Sequence, residues 1–377
     1  MLSPVQRLKL ALFTEGLTAT PEARRQMAGG DGEQRPLTLA DYASTSGISI
    51  ELEGSIWVNA PIQDFNPNFV TTPPHRLDWE DGQFWVVSGD LRVRAKPVPV
   101  PSYHDETNPW GERYTSFAIT HTDRVRISPV EGCAIVCTFC DLPYEFRYRK
   151  KGIEALVDSV ARAVRDPVLP AHHILISGGT PKPEDYGYLR DIWASVAGSF
   201  PDLAVDVMMV PMPGLFHLEE LRAAGIHGLS LNLEMFGDEG AKRIMRAKYD
   251  LGKKYWFDFI GRAAEVFGPG KVRSLILVGL EPLEDTLKGV EALAERGCDP
   301  VLSPFRPDPH TPLRFLRPPS IDLLAEVYER SVEIVGRFGV KLGPRCIPCQ
   351  HNTLTFPDSS GNTYSTEGEQ HAGDSGY

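Results

Sequence analysis

Six cysteines occur in the 377 residues, and five of them fall in two tight groups. Cys133, Cys137 and Cys140 share eight residues with the spacing C-x3-C-x2-C. Thiolates so spaced can wrap around one face of a cubic iron–sulfur cluster. A four-iron cluster usually takes four thiolates. Three leave one iron open, which is what a cluster that binds a substrate or cofactor requires. Zinc is the plainer alternative, but a closed zinc site wants a fourth local ligand. The closest upstream histidine, His121, is not local. The second group is Arg345-Cys346-Ile347-Pro348-Cys349-Gln350-His351-Asn352. It admits an auxiliary metal or iron–sulfur cluster completed by His351 or Cys298, a substrate ligand, a catalytic radical-handling thiol pair, or a structural role. Cys298 stands alone at a helix end and reads as a small buried hydrophobe. Six cysteines are too few to staple a chain this long with disulfides.

These residues need elements to hold them. From Arg124 onward, short β-rich runs alternate with amphipathic ones. The strands are expected at Val125–Ser128, Ile174–Ser177, Ala204–Val210, Gly228–Leu233, Ser274–Val278 and Pro300–Pro304. Helices are expected at Ile153–Arg165, Tyr186–Ala197, Leu218–Ala224, Leu283–Arg296 and Ile321–Phe338. Six β–α units imply an α/β fold, a partial (β/α)6 TIM-type barrel with right-handed crossovers. A further short strand at Val340–Leu342 would carry Cys346 and Cys349 toward the active face. Cys133 follows the first strand. Other candidates are plainer: His172-His173 open the second strand away from that face and read as packing or surface. Met208, Met209 and Met212 read as core. Tyr144, Arg147, Tyr148 and Arg149 either touch an acidic substrate or cover the cysteine loop.

The N-terminal third differs. Residues 1–46 read as helical, with Leu37–Tyr42 opening a second segment. Ile48–Leu52 and Leu91–Arg94 alternate with period two, and Asp81-Gly82 and Gly89-Asp90 are hairpin signals flanking Gln83–Val87. A small β-meander is expected, followed by a Pro-rich strap at 97–113. The organisation is therefore an N-terminal extension and linker (1–113), a barrel (114–343), a Cys-x-x-Cys segment (344–357) and a polar disordered tail (358–377).

Composition bounds the function. Charged residues leave a net −11, which argues against nucleic acid or an anionic membrane as an electrostatic partner. No apolar run reaches the roughly 18 residues of a transmembrane helix. The N-terminus lacks a signal-peptide core and cleavage site, so a cytoplasmic location is expected.

The cysteine loop, with Phe139 before its last Cys, resembles the radical S-adenosylmethionine (radical SAM) superfamily, in a barrel similar to the biotin and lipoyl synthase group. The resemblance covers residues 115 to about 343. It implies a [4Fe–4S] cluster on Cys133, Cys137 and Cys140, S-adenosylmethionine chelating the open iron, and Phe139 near the adenine. Ser177-Gly178-Gly179-Thr180 matches a Gly-Gly-Glu segment that holds the methionyl amine, with Thr180 in place of the Glu. Asn232-Leu233-Glu234 resembles a segment that reaches the ribose hydroxyls. Val278-Gly279-Leu280-Glu281 resembles one that lets backbone approach the adenosyl group. Of the two basic residues after the fourth strand, Arg246 rather than Lys248 is expected on the cofactor carboxylate. His310-Thr311-Pro312-Leu313 matches a further strand-end motif. The implied activity is reductive cleavage of S-adenosylmethionine to start radical chemistry on a small, amino-acid-like substrate in biosynthesis. A flavodoxin- or ferredoxin-type donor would supply the electron. No cysteine lies in strands three to five, which disfavours biotin-type sulfur insertion. Alternatives are a peptide-modifying enzyme whose N-terminal sheet adds a leader strand, or a non-catalytic iron–sulfur scaffold or sensor.

Overall fold

The computed structural model describes residues 2–29 and 46–360. Helix α1 (Pro4–Glu15) starts at a capping box, in which Ser3 accepts from the Gln6 amide and Gln6 accepts from the Ser3 amide. Strand β1 (Thr18–Ala19) and helix α2 (Pro21–Met27) follow. The expected helix at Leu37–Tyr42 lies outside the described residues, as does the tail beyond residue 360. Strands β2 (Ile48–Leu52), β3 (Ile56–Ala60), β4 (His75–Glu80), β5 (Gln83–Ser88) and β6 (Leu91–Pro97) form a sheet in the order β1-β4-β5-β6-β2-β3. The two hairpin turns fall where their Asp-Gly and Gly-Asp pairs are, between β4 and β5 and between β5 and β6.

The barrel strands are β8 (Arg124–Ile127), β11 (His173–Ile176), β12 (Ala204–Met208), β13 (Gly228–Ser230), β14 (Val272–Val278) and β15 (Asp299–Pro304). All five neighbouring pairs are parallel, and β7 (Ala118–His121) adds antiparallel to β8 at the edge. Every residue of β11 and β15 is buried, as a parallel strand covered on both faces must be. Two-residue strands β9 (Val130–Glu131) and β10 (Arg149–Lys150) pair across the cysteine loop, which also carries helix α3 (Leu142–Glu145).

The crossover helices are α4 (Ile153–Val164), α5 (Tyr186–Ser199), α6 (Leu218–Ala223), then α7 (Asp238–Ile244), α8 (Arg246–Tyr249) and α9 (Lys253–Phe267) together, and α10 (Leu283–Ala294). Helix α11 (Ile321–Phe338) closes the series. Ser320 caps it by accepting from the Leu323 amide, and Leu324, Val327, Tyr328 and Val335 face the core. A curled sheet of six parallel strands leaves one side open. The N-terminal sheet and the chain after α11 fill that side. Arg306 donates to the backbone and side-chain oxygens of Asn59, and Asn68 donates to the carbonyls of Pro307 and Arg314. Lys9, wholly buried in α1, donates to the carbonyls of Gln350 and Thr355. No helix among the described residues is long and apolar enough to cross a membrane.

Candidate active site

All six parallel strands end at one rim, where a barrel collects its chemistry. The loop after β8 carries Cys133, Cys137 and Cys140 there. Two contacts fasten it to the loop after β11: the Thr180 amide donates to Cys133 Sγ at 3.1 Å, and the Ala134 amide donates to the Thr180 carbonyl at 2.9 Å. Gly179 is forced by this approach, because a Cβ on it would stand 1.7 Å from the Gly132 carbonyl oxygen. Thr138 donates from its amide to the Ile244 carbonyl, which ties the other flank of the loop to α7. Met235, Ile244 and Met245 pack on Cys137, with Phe139 and Leu313 beside them.

Burial pushes the Cys137 thiol up to about 12 and the Cys140 thiol well above its ordinary value, with Lys248 pulling Cys137 partly back. Burial thus disfavours the Cys137 and Cys140 thiolates unless positive charge lies beside them.

A cavity of about 240 Å³ opens beside this loop. Phe139, Ser177, Gly178, Asn232 and Glu234 all line it. Glu234 has φ +67°, a left-handed backbone that a non-glycine residue rarely adopts, at a single bridge to Ile276. Its carboxylate accepts from Lys248 Nζ at 2.5 Å, and Lys248 also donates to the Asn232 carbonyl at 3.3 Å. Asn232 is itself fixed, accepting through Oδ1 from Ser230 and from the Leu275 amide.

Here the structure corrects the choice of Arg246. Its side chain is 63% exposed and pairs with Asp250, one turn along, whereas the Lys248 side chain is 6% exposed and lines the cavity. Two residues along a helix turn a side chain by more than half a circle, so α8 sends one outward and the other in. Burial opposes the Lys248 charge, but Glu234 and Cys137 outweigh it and raise its pKa. Val278 and Gly279 also fall elsewhere than expected. Val278 is buried, and the missing Cβ of Gly279, at φ +106°, faces the Pro319 ring at 3.0 Å. The Glu281 carboxylate after them accepts from the amides of Phe236 and Gly237 and so holds the start of α7. That segment serves architecture; Leu275 and Leu277, one residue out of phase, line the cavity instead.

Cys346 and Cys349 are the larger correction. They lie at the opposite rim, beside Asp123 just before β8 and His173 at the start of β11. Helix α11 descends from the active rim and Val340–Leu342 is not a strand, so the chain reaches Cys346 and Cys349 at the far rim, away from the cysteine loop. His173, expected to be packing or surface, is the pair's neighbour. Met208 and Met209 line the cavity rather than only filling core. Tyr148 donates to Asp185, and Arg149 donates to Glu131 and Glu112, so these residues brace the cysteine loop. Cys298 is fully buried, as expected.

Sequence reasoning passed over Arg124 and Arg306. Both line the cavity, and both have a buried guanidinium nitrogen without a hydrogen-bond partner: Nε of Arg124 and Nη2 of Arg306. Their signal was charge on or next to buried strands, where charge needs a reason.

Residues 127–303 match the family model described as the Radical SAM superfamily. Over 137 residues the chain is 28% identical to bacteriochlorophyllide c C-7(1)-hydroxylase of Chlorobaculum limnaeum, a match covering 35% of this chain and 34% of that protein. The chain thus spans about a third of this curated relative's length. Among solved structures, a radical SAM methyltransferase from Sphaerobacter thermophilus superposes with TM-score 0.46 and 15% identity, covering 72% of this chain and 76% of that one. The FeFe-hydrogenase maturase HydG from Carboxydothermus hydrogenoformans gives 0.45 and 19%, covering 61% and 56%. With the cysteine loop at the rim of a partial barrel, residues 127–303 form a domain of the Radical SAM superfamily.

Proposed function

We propose that this enzyme cleaves S-adenosylmethionine reductively to abstract hydrogen from a small, amino-acid-like substrate that carries an anionic group, in a biosynthetic reaction. Cys133, Cys137 and Cys140 would hold the cluster, which would supply the electron for reductive cleavage of S-adenosylmethionine. The chain's own residues do the positioning. Phe139 offers an aromatic face at the cavity mouth. Glu234, held by Lys248, presents carboxylate oxygen where a vicinal diol could donate two hydrogen bonds. The Gly178-Gly179 turn brings backbone close to the cluster loop.

The observation that supports the substrate class is the two unused guanidinium nitrogens among the residues lining the cavity. A carboxylate or phosphate would satisfy the donors on Arg124 and Arg306, and satisfied buried donors are the rule. Leu175, Met208, Leu275 and Leu277 give the cavity an apolar wall. The curated relative is named for hydroxylating a bacteriochlorophyllide, which is in keeping with a biosynthetic role. The electron would come from a flavodoxin- or ferredoxin-type protein in the cytoplasm.

The peptide-modifying alternative finds less support. Strand β3, at one edge of the N-terminal sheet, packs against α1 and the turn Pro348–Asn352, and β1 occupies part of the other edge. A non-catalytic scaffold would have no use for the Lys248–Glu234 pair on a cavity wall. The test is anaerobic turnover with candidate carboxylate and phosphate compounds. Arg306→Met and Arg124→Met should raise substrate KM on the order of tenfold or more, the loss of about one charge-assisted hydrogen bond, while substrate-free cleavage of S-adenosylmethionine stays at the parental rate. An equal fall in both would assign the arginines to the cofactor and remove the basis for an anionic substrate.

A further inference from the structure

We propose that Asp123, His173, Cys346 and Cys349 bind one structural zinc ion at the rim opposite the active site, fastening the C-terminal segment to the first two barrel strands. The four residues come from three places in the chain. Asp123 sits in the turn between β7 and β8, and its carbonyl accepts from the His172 amide at 2.7 Å. His173 opens β11 and lies in register with Arg124. Cys346 lies just before the turn Pro348–Asn352, and Cys349 lies within it.

The distances fit a single tetrahedral ion. Cys346 Sγ is 3.4 Å from Asp123 Oδ1 and 3.5 Å from His173 Nε2. Cys349 Sγ is 3.6 Å from the same oxygen and 3.4 Å from the same nitrogen. His173 Nε2 is 3.4 Å from Asp123 Oδ1. Zinc bonds of about 2.3 Å to sulfur and about 2.0–2.1 Å to nitrogen and oxygen give tetrahedral edges of about 3.5 Å between sulfur and nitrogen or oxygen, and about 3.3 Å between nitrogen and oxygen. All five separations lie close to those edges. A histidine and a carboxylate that met only each other would close to about 2.8–2.9 Å; here they stand apart around a common centre.

The donor set also selects the ion. Two thiolates, one imidazole and one carboxylate in a tetrahedron suit zinc, and soft sulfur disfavours magnesium and calcium. An iron–sulfur cluster would spread its ligands over several irons, whereas these four atoms lie within 4.8 Å of one another. Four protein ligands leave no open position, which is the mark of a structural rather than a catalytic site. His173, Cys346 and Cys349 are each almost fully buried.

The segment so fastened matters to the cavity. Asn352 lines it, and its carbonyl accepts from Ser303 of β15 at 3.0 Å. Arg345 grips Asp299, at the start of β15, through two hydrogen bonds of 2.6 and 3.1 Å. The His351 ring stacks on His121, another cavity residue, at 6.1 Å. The zinc would complete this clasp on the β8–β11 side and hold the cavity floor. The inference stands apart from the substrate proposal and does not depend on it.

The experiment is metal counting on the purified full chain with X-ray absorption at the zinc edge. One zinc per chain is expected, in a shell of two sulfur and two nitrogen or oxygen neighbours. The Cys133→Ala, Cys137→Ala, Cys140→Ala variant should lose its iron and keep the zinc. The Cys346→Ser, Cys349→Ser variant should lose the zinc and keep four irons. Cobalt(II) added to zinc-stripped parental chain should give thiolate-to-cobalt charge transfer and strong tetrahedral bands. Parental protein grown with ample zinc that holds none, iron at this site, a Cys346–Cys349 disulfide in thiol counting, or a zinc shell without two sulfurs would each overturn the assignment.

Discussion

Lys248 and Glu234 form a buried ion pair on the cavity wall, and Lys248→Met tests it. Nζ lies 2.5 Å from Glu234 Oε2, and the two side chains are 6% and 12% exposed. Removing one partner strands the other charge in a site too dry to solvate it, at a cost of about 3–5 kcal/mol. Unfolding entropy near 2.1 cal/mol/K per residue amounts to about 0.8 kcal/mol/K over this chain, so the variant should melt roughly 4–6 °C below the parent. Thermal unfolding of the cluster-free protein measures this without interference from iron loss. Glu234→Gln combined with Lys248→Met leaves neither charge and should recover most of the loss, because the cost lies in the orphaned carboxylate rather than in the missing contact. Affinity for S-adenosylmethionine should stay low in both variants, since neither restores a fixed carboxylate on the cavity wall. A single variant melting within about 1 °C of the parent, or a double variant showing simple additivity, would refute the buried pair.

Gly179→Ala should separate the two loops that hold the cluster. Its Cβ has no room beside the Gly132 carbonyl, so the Thr180–Cys133 and Ala134–Thr180 hydrogen bonds, each worth about 1 kcal/mol or more, must be lost; iron analysis after reconstitution should show well under the parental content. Lys151 gives a pH signature. It donates to the Ser116 carbonyl, and burial lowers its pKa to about 8. Between that value and the ordinary 10.5 the unfolded chain binds the extra proton, so folding stability from this group rises with pH across the window and is lost as pH falls through 8. Urea unfolding from pH 7.5 to 10.5 should show the parent gaining about 3 kcal/mol relative to Lys151→Met, and parallel profiles would contradict the burial.

The barrel was legible because its strands are short β-branched runs separated by amphipathic helices, and Ile321–Phe338 carries its cap and its core stripe in the sequence itself. The cysteine loop was legible for a different reason: its three thiols fall within eight residues, so spacing alone reports the group. Asp123, His173, Cys346 and Cys349 come from separated parts of the chain, and only the course of α11 back to the far rim brings them together. Sequence order suggested the active rim because a seventh strand at Val340–Leu342 would have reversed that course; no such strand forms. Arg246 and Lys248 show the limit on a smaller scale. Both are basic and two residues apart, and the four-residue helix between β13 and β14 decides which one is buried. The N-terminal sheet was readable from its turns, but its contact with the barrel through Asn59, Asn68 and Lys9 was not, since polar side chains that bind distant carbonyls leave no periodic pattern.

The central claim is that Cys133, Cys137 and Cys140 hold a cluster with an open iron that cleaves S-adenosylmethionine. Its most direct measurement is 5′-deoxyadenosine formation by the anaerobically reconstituted protein with a low-potential reductant, for the parent and for each single Cys→Ala variant. The parent should bind four irons at this loop and form 5′-deoxyadenosine; each variant should form none, while Cys346→Ser, Cys349→Ser retains the cleavage. Formation of 5′-deoxyadenosine at the parental rate by any of the three variants, or none by an iron-replete parent, would contradict it.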